Sequence, residues 1–218
     1  MPMPMTRPLR ILLADDHETV RQGLCALFKS VAGVEVVHDV ADGTSAVSAA
    51  RTVAPDVVVI DLSMTPMDGL AAMRQMREAR RQIRFVVLTR YREAAYVREA
   101  LAAGASGYVL KQSPFSELLR AVLAVGRGEQ HVDPALSEEG SAGYAATPAA
   151  ATSRITQRET DVLRRAARGH SNREIAVALE IAVKTVEVHK ANAMKKIGLR
   201  DRIELLRYAL MHGWLRDL

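Results

Sequence analysis

Short apolar runs alternate with segments of helical periodicity through the first half of the chain. The strongest run, Val57–Ile60, consists of β-branched residues and leads directly into Asp61. A run of this kind is typical of a strand that is buried on both faces of a parallel sheet. The pattern predicts five strands, at Leu9–Ala14, Val34–Val40, Val57–Ile60, Phe85–Thr89 and Tyr108–Leu110. The helices predicted after them cover Val20–Val31, Thr44–Val53, Leu70–Met76, Arg92–Ala103 and Pro114–Val125.

This alternation predicts an α/β fold, a doubly wound (βα)5 domain built on a parallel sheet. The strand order 2-1-3-4-5 is one of the two common arrangements, with its switch point between strands one and three. Ligands of such folds bind at the carboxyl edge of the sheet. Five polar side chains are expected to converge there, namely Asp15 and Asp16 after strand one, Asp61 after strand three, Thr89 on strand four and Lys111 after strand five.

The periodic pattern stops after the fifth helix and resumes near residue 154. Ala, Gly, Ser, Pro and Glu dominate the stretch between, which predicts a flexible linker. Thr156 and Glu159 then form a capping-box sequence, and Val183–Ile197 follows a tight connection. Short helices around such a turn predict a small all-α helix-turn-helix domain. The predicted boundaries are 8–128 for the α/β domain, 129–153 for the linker and 154–218 for the helical domain.

Composition and charge narrow the class of protein. Apolar residues make up 49% of the chain, which is enough for packed cores. No apolar run approaches the roughly 20 residues that span a bilayer, the start lacks a signal-peptide core, and the one cysteine, Cys25, fits a reducing compartment. We therefore expect a cytoplasmic protein with no membrane segment. From Arg154 onward there are 14 Lys and Arg residues against 8 Asp and Glu residues, which predicts a polyanion partner.

Three carboxylates at one edge of a sheet repel one another unless a cation lies between them. Mg²⁺ suits this set because it prefers oxygen ligands, with waters and a phosphate completing its coordination. We expect Asp16 and Asp61 to bind the metal directly and Asp15 to hold a metal-bound water. Asp61 is then a nucleophile toward phosphorus, with Lys111 and Thr89 contacting the phosphoryl oxygens.

Each of these residues also has an ordinary structural explanation. Asp15 or Asp16 could cap the helix that follows, Lys111 could be an exposed lysine, and Thr89 could be only a β-former. Their shared position at strand ends favours a phosphate-acceptor site over those explanations. His17 is expected at the surface, because no second His or Cys stands at metal-ligand spacing.

The motifs around these residues resemble those of two-component receiver domains: LLADDH, VVVIDLSMTPMDGL, VVLTRY and GYVLKQSP. The tail ITQRETDVLRRAARGHSNREIAVALEIAVKTVEVHKANAMKKIGL resembles the LuxR-type helix-turn-helix. In this order the two are similar to the NarL/FixJ family of response regulators, over all but the amino-terminal residues and the linker. The resemblance implies a receiver domain that takes phosphate from a sensor histidine kinase, followed by a DNA-binding domain that regulates transcription.

The resemblance also implies roles for individual residues. Asp61 is the implied phosphorylated aspartate. The implied metal ligands are Asp15, Asp16, Asp61 and the backbone carbonyl of Ser63. The implied switch hydroxyl, rotating aromatic and phosphate-contacting lysine are Thr89, Tyr108 and Lys111. Ser63 and Tyr91 are implied to influence how long the acyl phosphate lasts.

Two positions depart from the family pattern. The family usually has proline four residues after the aspartate, whereas Thr65 stands there in this chain and Pro66 follows it. The loop after the third strand is therefore expected to bend differently, with an effect on phosphorylation kinetics. Ala182 stands where many relatives carry a capping serine or threonine, which is expected to weaken the start of the recognition helix by about 1 kcal/mol.

The segment Val183–Ile197 is predicted to lie in the major groove of double-stranded DNA. Val186, Ala193 and Ile197 share one face and are expected to pack inward. The resemblance implies base-edge contacts for Glu187, Val188 and Ala191, and backbone contacts for Lys184, Thr185 and His189. Lys190, Lys195 and Lys196 are expected to bind phosphates, which adds affinity without sequence choice.

One such domain contacts too little DNA for useful specificity, so a homodimer on paired half-sites is expected. Leu206, Leu210 and Trp214 could form the dimer contact or complete the core of their own domain. A Mg²⁺-dependent phosphotransferase or phosphatase would need an acid or base two residues after Asp61, where Ser63 stands, so we expect a regulator and not an enzyme. A DNA-binding protein whose receiver domain only dimerises would have no need of the acidic site.

Overall fold

The computed structural model describes residues 7–136, 155–212 and 214–215, which form two compact units. The first unit alternates strands with helices, and the second is helical. The strands of the first unit are β1 (Leu9–Ala14), β2 (Val34–Val40), β3 (Val57–Ile60), β4 (Arg84–Thr89), β5 (Gly107–Leu110) and β6 (His131–Val132). Its helices are α1 (Glu18–Lys29), α2 (Gly43–Val53), α3 (Gly69–Ala79), α4 (Ala94–Ala103) and α5 (Phe115–Gly126).

The strands of the first unit form one sheet in the order β2-β1-β3-β4-β5-β6. Every neighbouring pair runs parallel. The predicted doubly wound fold and the order of its first five strands are confirmed. Because β1 lies between β2 and β3, the residues that follow β1 and β3 meet at the same edge of the sheet.

The central strand β3 is buried on both faces, as its apolar run predicts. Val57 and Val59 belong to a core cluster that also contains Phe28 from α1 and residues of α5. The alternate residues Val58 and Ile60 are fully buried as well. Burying each such side chain stabilises the fold by about 1.5–3 kcal/mol, so β3 is held firmly where it ends at the site.

The linker predicted over 129–153 is wrong at its amino-terminal end. The backbone N–H of His131 donates to Ser106 O at 2.9 Å, and that of Asp133 donates to Tyr108 O at 2.9 Å. A single 3-10 turn, Pro134–Leu136, follows and buries Leu136. A strand of two residues is too short for a periodic pattern, so the sequence could not distinguish it from a loop. Residues 137–153 lie outside the described part of the chain.

The helices of the second unit are α6 (Gln157–Ala167), α7 (Asn172–Leu179), α8 (Val183–Ile197) and α9 (Arg202–Met211). The predicted capping box of Thr156 and Glu159 is confirmed at α6. A second box, formed by Ser171 and Glu174, begins α7. Ala182 precedes α8 and provides no side-chain cap, as expected from its methyl group.

The core of the second unit includes Val186 and Ala193, the two residues of α8 that are fully buried. Ile197, which was expected inside with them, is half-buried. Along α9, Leu206 and Leu210 are exposed, whereas Leu205, Tyr208 and Ala209 are buried. Apolar residues occur on more than one side of α9, so its sequence pattern does not select the buried face. None of the helices in the described ranges is long and apolar enough to cross a membrane.

Candidate functional site

Strands β1 and β3 bring two carboxylates to the carboxyl edge of the sheet. The backbone N–H of Asp61 donates to Ala14 O of β1 at 2.9 Å, and that of Asp15 donates to Val40 O of β2 at 3.1 Å. Both side chains are almost fully buried, with 3% of Asp15 and 2% of Asp61 exposed. Asp16 lies beside them and is exposed to solvent. The edge therefore forms a pocket with two carboxylates inside it and a third at its mouth.

Lys111, which follows β5, reaches into this pocket. Its Nζ donates a hydrogen bond to Asp61 Oδ2 at 2.8 Å. The same Nζ lies 2.7 Å from Asp15 Oδ2, where it forms an ion pair. Lys111 is therefore a buried bridge between two carboxylates, which rules out the alternative of an ordinary exposed lysine.

Burial raises the pKa of Asp61 above its ordinary value, because a charged carboxylate is disfavoured away from water. The charge and hydrogen bond of Lys111 and the backbone N–H of Ser63, which lies 3.2 Å from Asp61 Oδ1, act in the opposite direction. The charge of Asp15 adds to the increase. One lysine thus only partly compensates the negative charge of this pocket.

The acidic pocket has the donor set of a divalent metal site. Asp15, Asp16, His17 and Asp61 each offer a ligand atom, and these atoms lie within 4.8 Å of one another. The single positive charge of Lys111 is shared by Asp15 and Asp61, and Asp16 lies beside them, so the three carboxylates carry more negative charge than the lysine balances. Carboxylate oxygens are the ligands that Mg²⁺ prefers, so the residues present fit this ion.

His17 was expected to be a surface residue, and it is exposed. Its ring is partly exposed, but Nδ1 lies 2.7 Å from Asp16 Oδ1 and 3.3 Å from Asp15 Oδ1. It is also the N-cap residue of α1, so neither aspartate caps that helix. The signal available in the sequence was its position directly after the acidic pair.

Thr89 ends β4 at the same edge of the sheet and is fully buried. Its Oγ1 accepts a hydrogen bond from the backbone N–H of Tyr91 at 3.4 Å. The hydroxyl of Tyr108, on β5, donates to Tyr91 O at 2.8 Å, and its ring is buried. The Ser63 hydroxyl donates to the Tyr91 hydroxyl at 3.1 Å. Tyr91 is therefore hydrogen-bonded to Thr89, Tyr108 and Ser63.

The loop after β3 leads into α3, which begins directly against the backbone of Asp61. The peptide bond between Thr65 and Pro66 is cis. Asp68 caps α3 by accepting from the backbone N–H of Ala71 at 2.8 Å. A Cβ atom on Gly69 would lie 2.1 Å from the backbone oxygen of Asp61. Glycine is required there because α3 begins directly against the backbone of Asp61, a close approach that the sequence did not reveal.

The second unit presents α8 as a candidate nucleic-acid interface. The exposed residues of α8 include Lys184, Glu187, Val188, Ala191 and Lys195, and the half-buried ones include Thr185, His189 and Lys190. An exposed valine in the middle of this face is available for apolar contact with a thymine methyl group. All eight residues predicted to contact DNA thus retain accessible surface on one helix.

Lys196, which is also predicted to contact phosphates, is half-buried and pairs with another helix. Its Nζ lies 2.8 Å from both carboxylate oxygens of Glu159 on α6. These hydrogen bonds and the backbone N–H of Thr156 lower the pKa of Glu159 below its ordinary value. Lys196 therefore joins α8 to the capping box of α6.

Trp214 completes the core of its own unit. Only 7% of its surface is exposed, its ring packs edge-on against Tyr208 at 5.4 Å, and the guanidinium of Arg164 lies 5.4 Å from its ring centre. Leu206 and Leu210 are 42% and 59% exposed. Of the two roles open to these three residues, Trp214 takes the core and the two leucines remain available for a contact between copies.

Comparisons with known proteins agree with this geometry. Residues 11–123 match the family of response regulator receiver domains, and residues 153–209 match the luxR family of bacterial regulatory proteins. The oxygen regulatory protein NreC of Staphylococcus carnosus (strain TM300) is 36% identical, over 93% of this chain and 97% of that protein.

Among solved structures, RcsB from Salmonella enterica serovar Typhimurium, bound to a promoter in the presence of a phosphomimetic, is 28% identical. It covers 94% of this chain and 100% of its own, with a TM-score of 0.80. The receiver domain of the putative response regulator NarL from Mycobacterium tuberculosis is 31% identical, over 56% of this chain and 99% of its own, with a TM-score of 0.55.

Two matched families in this order, together with a relative of similar length, establish the membership of the chain. Its receiver domain contains the acidic pocket, and its second domain contains the recognition helix. These are the parts of a transcription factor and not of an enzyme. The chain belongs to the NarL/FixJ family of LuxR-type response regulators.

Proposed function

We propose that this response regulator accepts a phosphoryl group on Asp61 from a sensor histidine kinase, binds Mg²⁺, and regulates transcription as a homodimer on DNA in the cytoplasm. The observation that carries the proposal is Lys111, whose Nζ lies within 2.8 Å of both Asp61 and Asp15. We assign the receiver to 8–128, with 131–136 added to it, and the DNA-binding domain to 154–218.

In the proposed transfer, a carboxylate oxygen of Asp61 attacks the phosphorus of the kinase phosphohistidine. The new O–P bond forms as the P–N bond breaks, and the leaving imidazole takes up a proton. The negative charge then moves from the carboxylate to the phosphoryl oxygens, and Lys111 follows it because it is already 2.8 Å from Asp61 Oδ2. The burial of the pocket strengthens this attraction.

Asp15, Asp16 and Asp61 would hold Mg²⁺, together with the backbone carbonyl of Ser63. When bound, the ion neutralises charge on the carboxylates and on the phosphoryl oxygens. His17 would orient Asp16, since its Nδ1 lies 2.7 Å from Asp16 Oδ1.

The switch that we propose uses the contacts around Tyr91. The Thr89 hydroxyl would leave the Tyr91 N–H and donate to a phosphoryl oxygen. Tyr108 would follow, because its hydroxyl is bonded to Tyr91 O. Phosphorylation thus favours one of two arrangements of the surface around α4 and α5, which is a population shift.

The DNA contacts that we propose fall into two groups, contacts to base edges and contacts to the DNA backbone. Base edges would be met by Glu187, Val188 and Ala191, and the DNA backbone by Lys184, Thr185, His189, Lys190 and Lys195. The exposed Leu206 and Leu210 of α9 are the proposed contact between two copies on paired half-sites. The solved structure of two RcsB dimers bound to DNA supports the proposed dimer on DNA.

The test is labelling of the full-length chain by radioactive acetyl phosphate in Mg²⁺. Asp61→Asn is expected to abolish labelling while circular dichroism shows an unchanged fold. The matched control is Asp56→Asn, an aspartate that precedes the same strand at its opposite end and pairs with Arg7. This control is expected to label as the wild type does. Undiminished labelling of Asp61→Asn would refute the acceptor assignment.

A further inference from the structure

Asp133 is a buried carboxylate that the proposed function does not use. Only 2% of its surface is exposed. It follows β6, in the segment that was expected to be linker. A carboxylate buried in this way is costly unless hydrogen bonds compensate it, and the described structure supplies three.

The three donors come from two places. Asp133 Oδ1 accepts from the backbone N–H of Ala135 at 3.0 Å, a turn within its own segment. Asp133 Oδ2 accepts from the backbone N–H of Leu110 at 3.0 Å and from the Ser113 hydroxyl at 2.5 Å. Leu110 and Ser113 stand on either side of Lys111, so one carboxylate oxygen holds both ends of the loop that carries the lysine.

This arrangement connects Asp133 to the pocket by a short path. Lys111 follows Leu110 directly, and its Nζ lies 2.8 Å from Asp61 Oδ2. The backbone of the loop is further tied to β4, because Lys111 N donates to Thr89 O at 2.8 Å. Without Asp133 the Leu110 N–H would be buried without this acceptor, and Ser113 would be free to rotate.

The same segment is attached to the other side of the switch region. Arg92 Nη2, one residue beyond Tyr91, donates to Ala135 O at 3.0 Å. The backbone N–H of Asp133 donates to the carbonyl of Tyr108 at 2.9 Å. Residues 131–136 therefore contact the elements that carry Lys111, Tyr108 and Tyr91, and they precede the second domain in the chain.

We propose that Asp133 is a positioning residue for phosphoryl transfer to Asp61, acting through the loop that carries Lys111. The inference rests on the proposed function. It adds a residue, outside the predicted receiver, on which the geometry of the pocket depends. The segment after β6 is then a part of the phosphorylation machinery as well as the start of the connection to the DNA-binding domain.

The test compares the rate of labelling by acetyl phosphate in full-length variants over a range of Mg²⁺ concentrations. Asp133→Ala is expected to slow the maximum rate by about tenfold to a hundredfold, because displacing a reacting partner by about 1 Å has an effect of this size. The Mg²⁺ concentration for half-maximal labelling is not expected to rise, because Asp133→Ala removes no metal ligand and loosens an ammonium group that competes with the ion for Asp15 and Asp61. Ser113→Ala, at a half-buried position that loses one donor, is expected to have a smaller effect in the same direction.

The matched control is His131→Ala, which loosens the same segment without touching the loop. His131 Nε2 lies 2.6 Å from Glu117 Oε1 on α5. This variant is expected to lower the melting temperature and to leave the labelling rate within about twofold of the wild type. Equal losses of rate in Asp133→Ala and His131→Ala, or an unchanged rate in both Asp133→Ala and Ser113→Ala, would reduce Asp133 to a structural anchor and overturn the inference. Absence of labelling in the wild type would instead reject the proposed function, and the inference with it.

Discussion

Asp61 occupies a position that is unfavourable for a carboxylate. Burial raises its pKa, and the charge and hydrogen bond of Lys111 offset this only in part. The remaining negative charge makes the pocket typical of a divalent metal site, in the same few ångströms in which phosphate would bind. The features that make the residue costly to bury thus also make it a suitable acceptor.

Gly69 is a residue on which this geometry depends. A Cβ atom there would lie 2.1 Å from Asp61 O, a backbone atom that cannot rotate away. Gly69→Ala is therefore expected to destabilise the receiver by about 1–3 kcal/mol, the usual cost of overpacking, and to slow labelling by acetyl phosphate. Denaturant unfolding followed by circular dichroism, together with the labelling assay, measures both effects.

The control for this prediction is Gly23→Ala. Gly23 lies within α1, and a Cβ atom there would meet nothing within 4 Å. Alanine is expected to raise stability at this position by about 0.5–1 kcal/mol, because glycine is a poor helix former. If the two variants changed stability by the same amount, the inferred close approach of Gly69 to the backbone of Asp61 would be contradicted.

At the scale of elements, the four helices of the DNA-binding domain differ in how they begin. Side chains cap α6, α7 and α9, through Thr156, Ser171 and Asp201. The helix α8 begins at Ala182 without such a cap. The proposed recognition helix therefore has the least support at its first turn, where Lys184 and Thr185 are expected to meet the DNA backbone.

Ala182→Ser is expected to add the missing cap and stabilise the DNA-binding domain by about 1 kcal/mol. The fluorescence of Trp214 measures this, because it is the one tryptophan in the sequence and is buried in this domain. Urea unfolding is expected to shift to higher concentration in the variant. Ser171→Ala is the opposite control, with an expected loss of about 1 kcal/mol. A shift to lower urea in Ala182→Ser would show that the first turn of α8 is not limited by its cap.

At the scale of the whole molecule, the pocket and the recognition helix belong to two units of one chain. The excess of positive charge lies after residue 154, in the DNA-binding domain, and this sequence-independent attraction favours binding to any DNA. Selectivity then requires two recognition helices on paired half-sites, which is the role proposed for the exposed side of α9.

Replacing both Leu206 and Leu210 with alanine is expected to weaken binding to a two-half-site operator by about a hundredfold. Burying a fully exposed leucine contributes about 1.5–3 kcal/mol. Because Leu206 and Leu210 are already partly buried, together they are expected to contribute about 2.7 kcal/mol, which is a hundredfold in affinity. Binding to a single half-site and the melting temperature are expected to stay near wild type, since both side chains are exposed. Fluorescence anisotropy on DNA selected from a random pool, with beryllofluoride present, measures the affinities.

Val177→Ala is the control for this pair, because Val177 is 80% exposed on α7 and lies on a different helix. It is expected to bind both DNAs as the wild type does. Equal affinity of the double variant for the paired site would place the dimer contact elsewhere.

Local interactions explain what could be predicted from the sequence. The run Val57–Ile60, the capping box of Thr156 and Glu159, and the uncapped Ala182 depend on neighbours within a few residues, so periodicity and composition identify them. The strand order 2-1-3-4-5 is one of the two arrangements common in such folds, so the alternation of strands and helices narrows the order to these two. Once it is known, the convergence of Asp15, Asp61 and Lys111 follows as well.

Some residues that are alike in the sequence have different roles, and only the tertiary structure decided these roles. Lys195 and Lys196 are adjacent and chemically identical, but Lys196 pairs with Glu159, 37 positions away. Asp133 is part of a loop by its sequence, but the backbone of β5 makes it a buried acceptor. The sequence by itself determined the first five strands, the helices, the acidic edge and the recognition helix, because these depend on local preference and strand order. The partner of a single charged side chain depends on which distant elements of the chain pack against it, and no local sequence pattern encodes that packing.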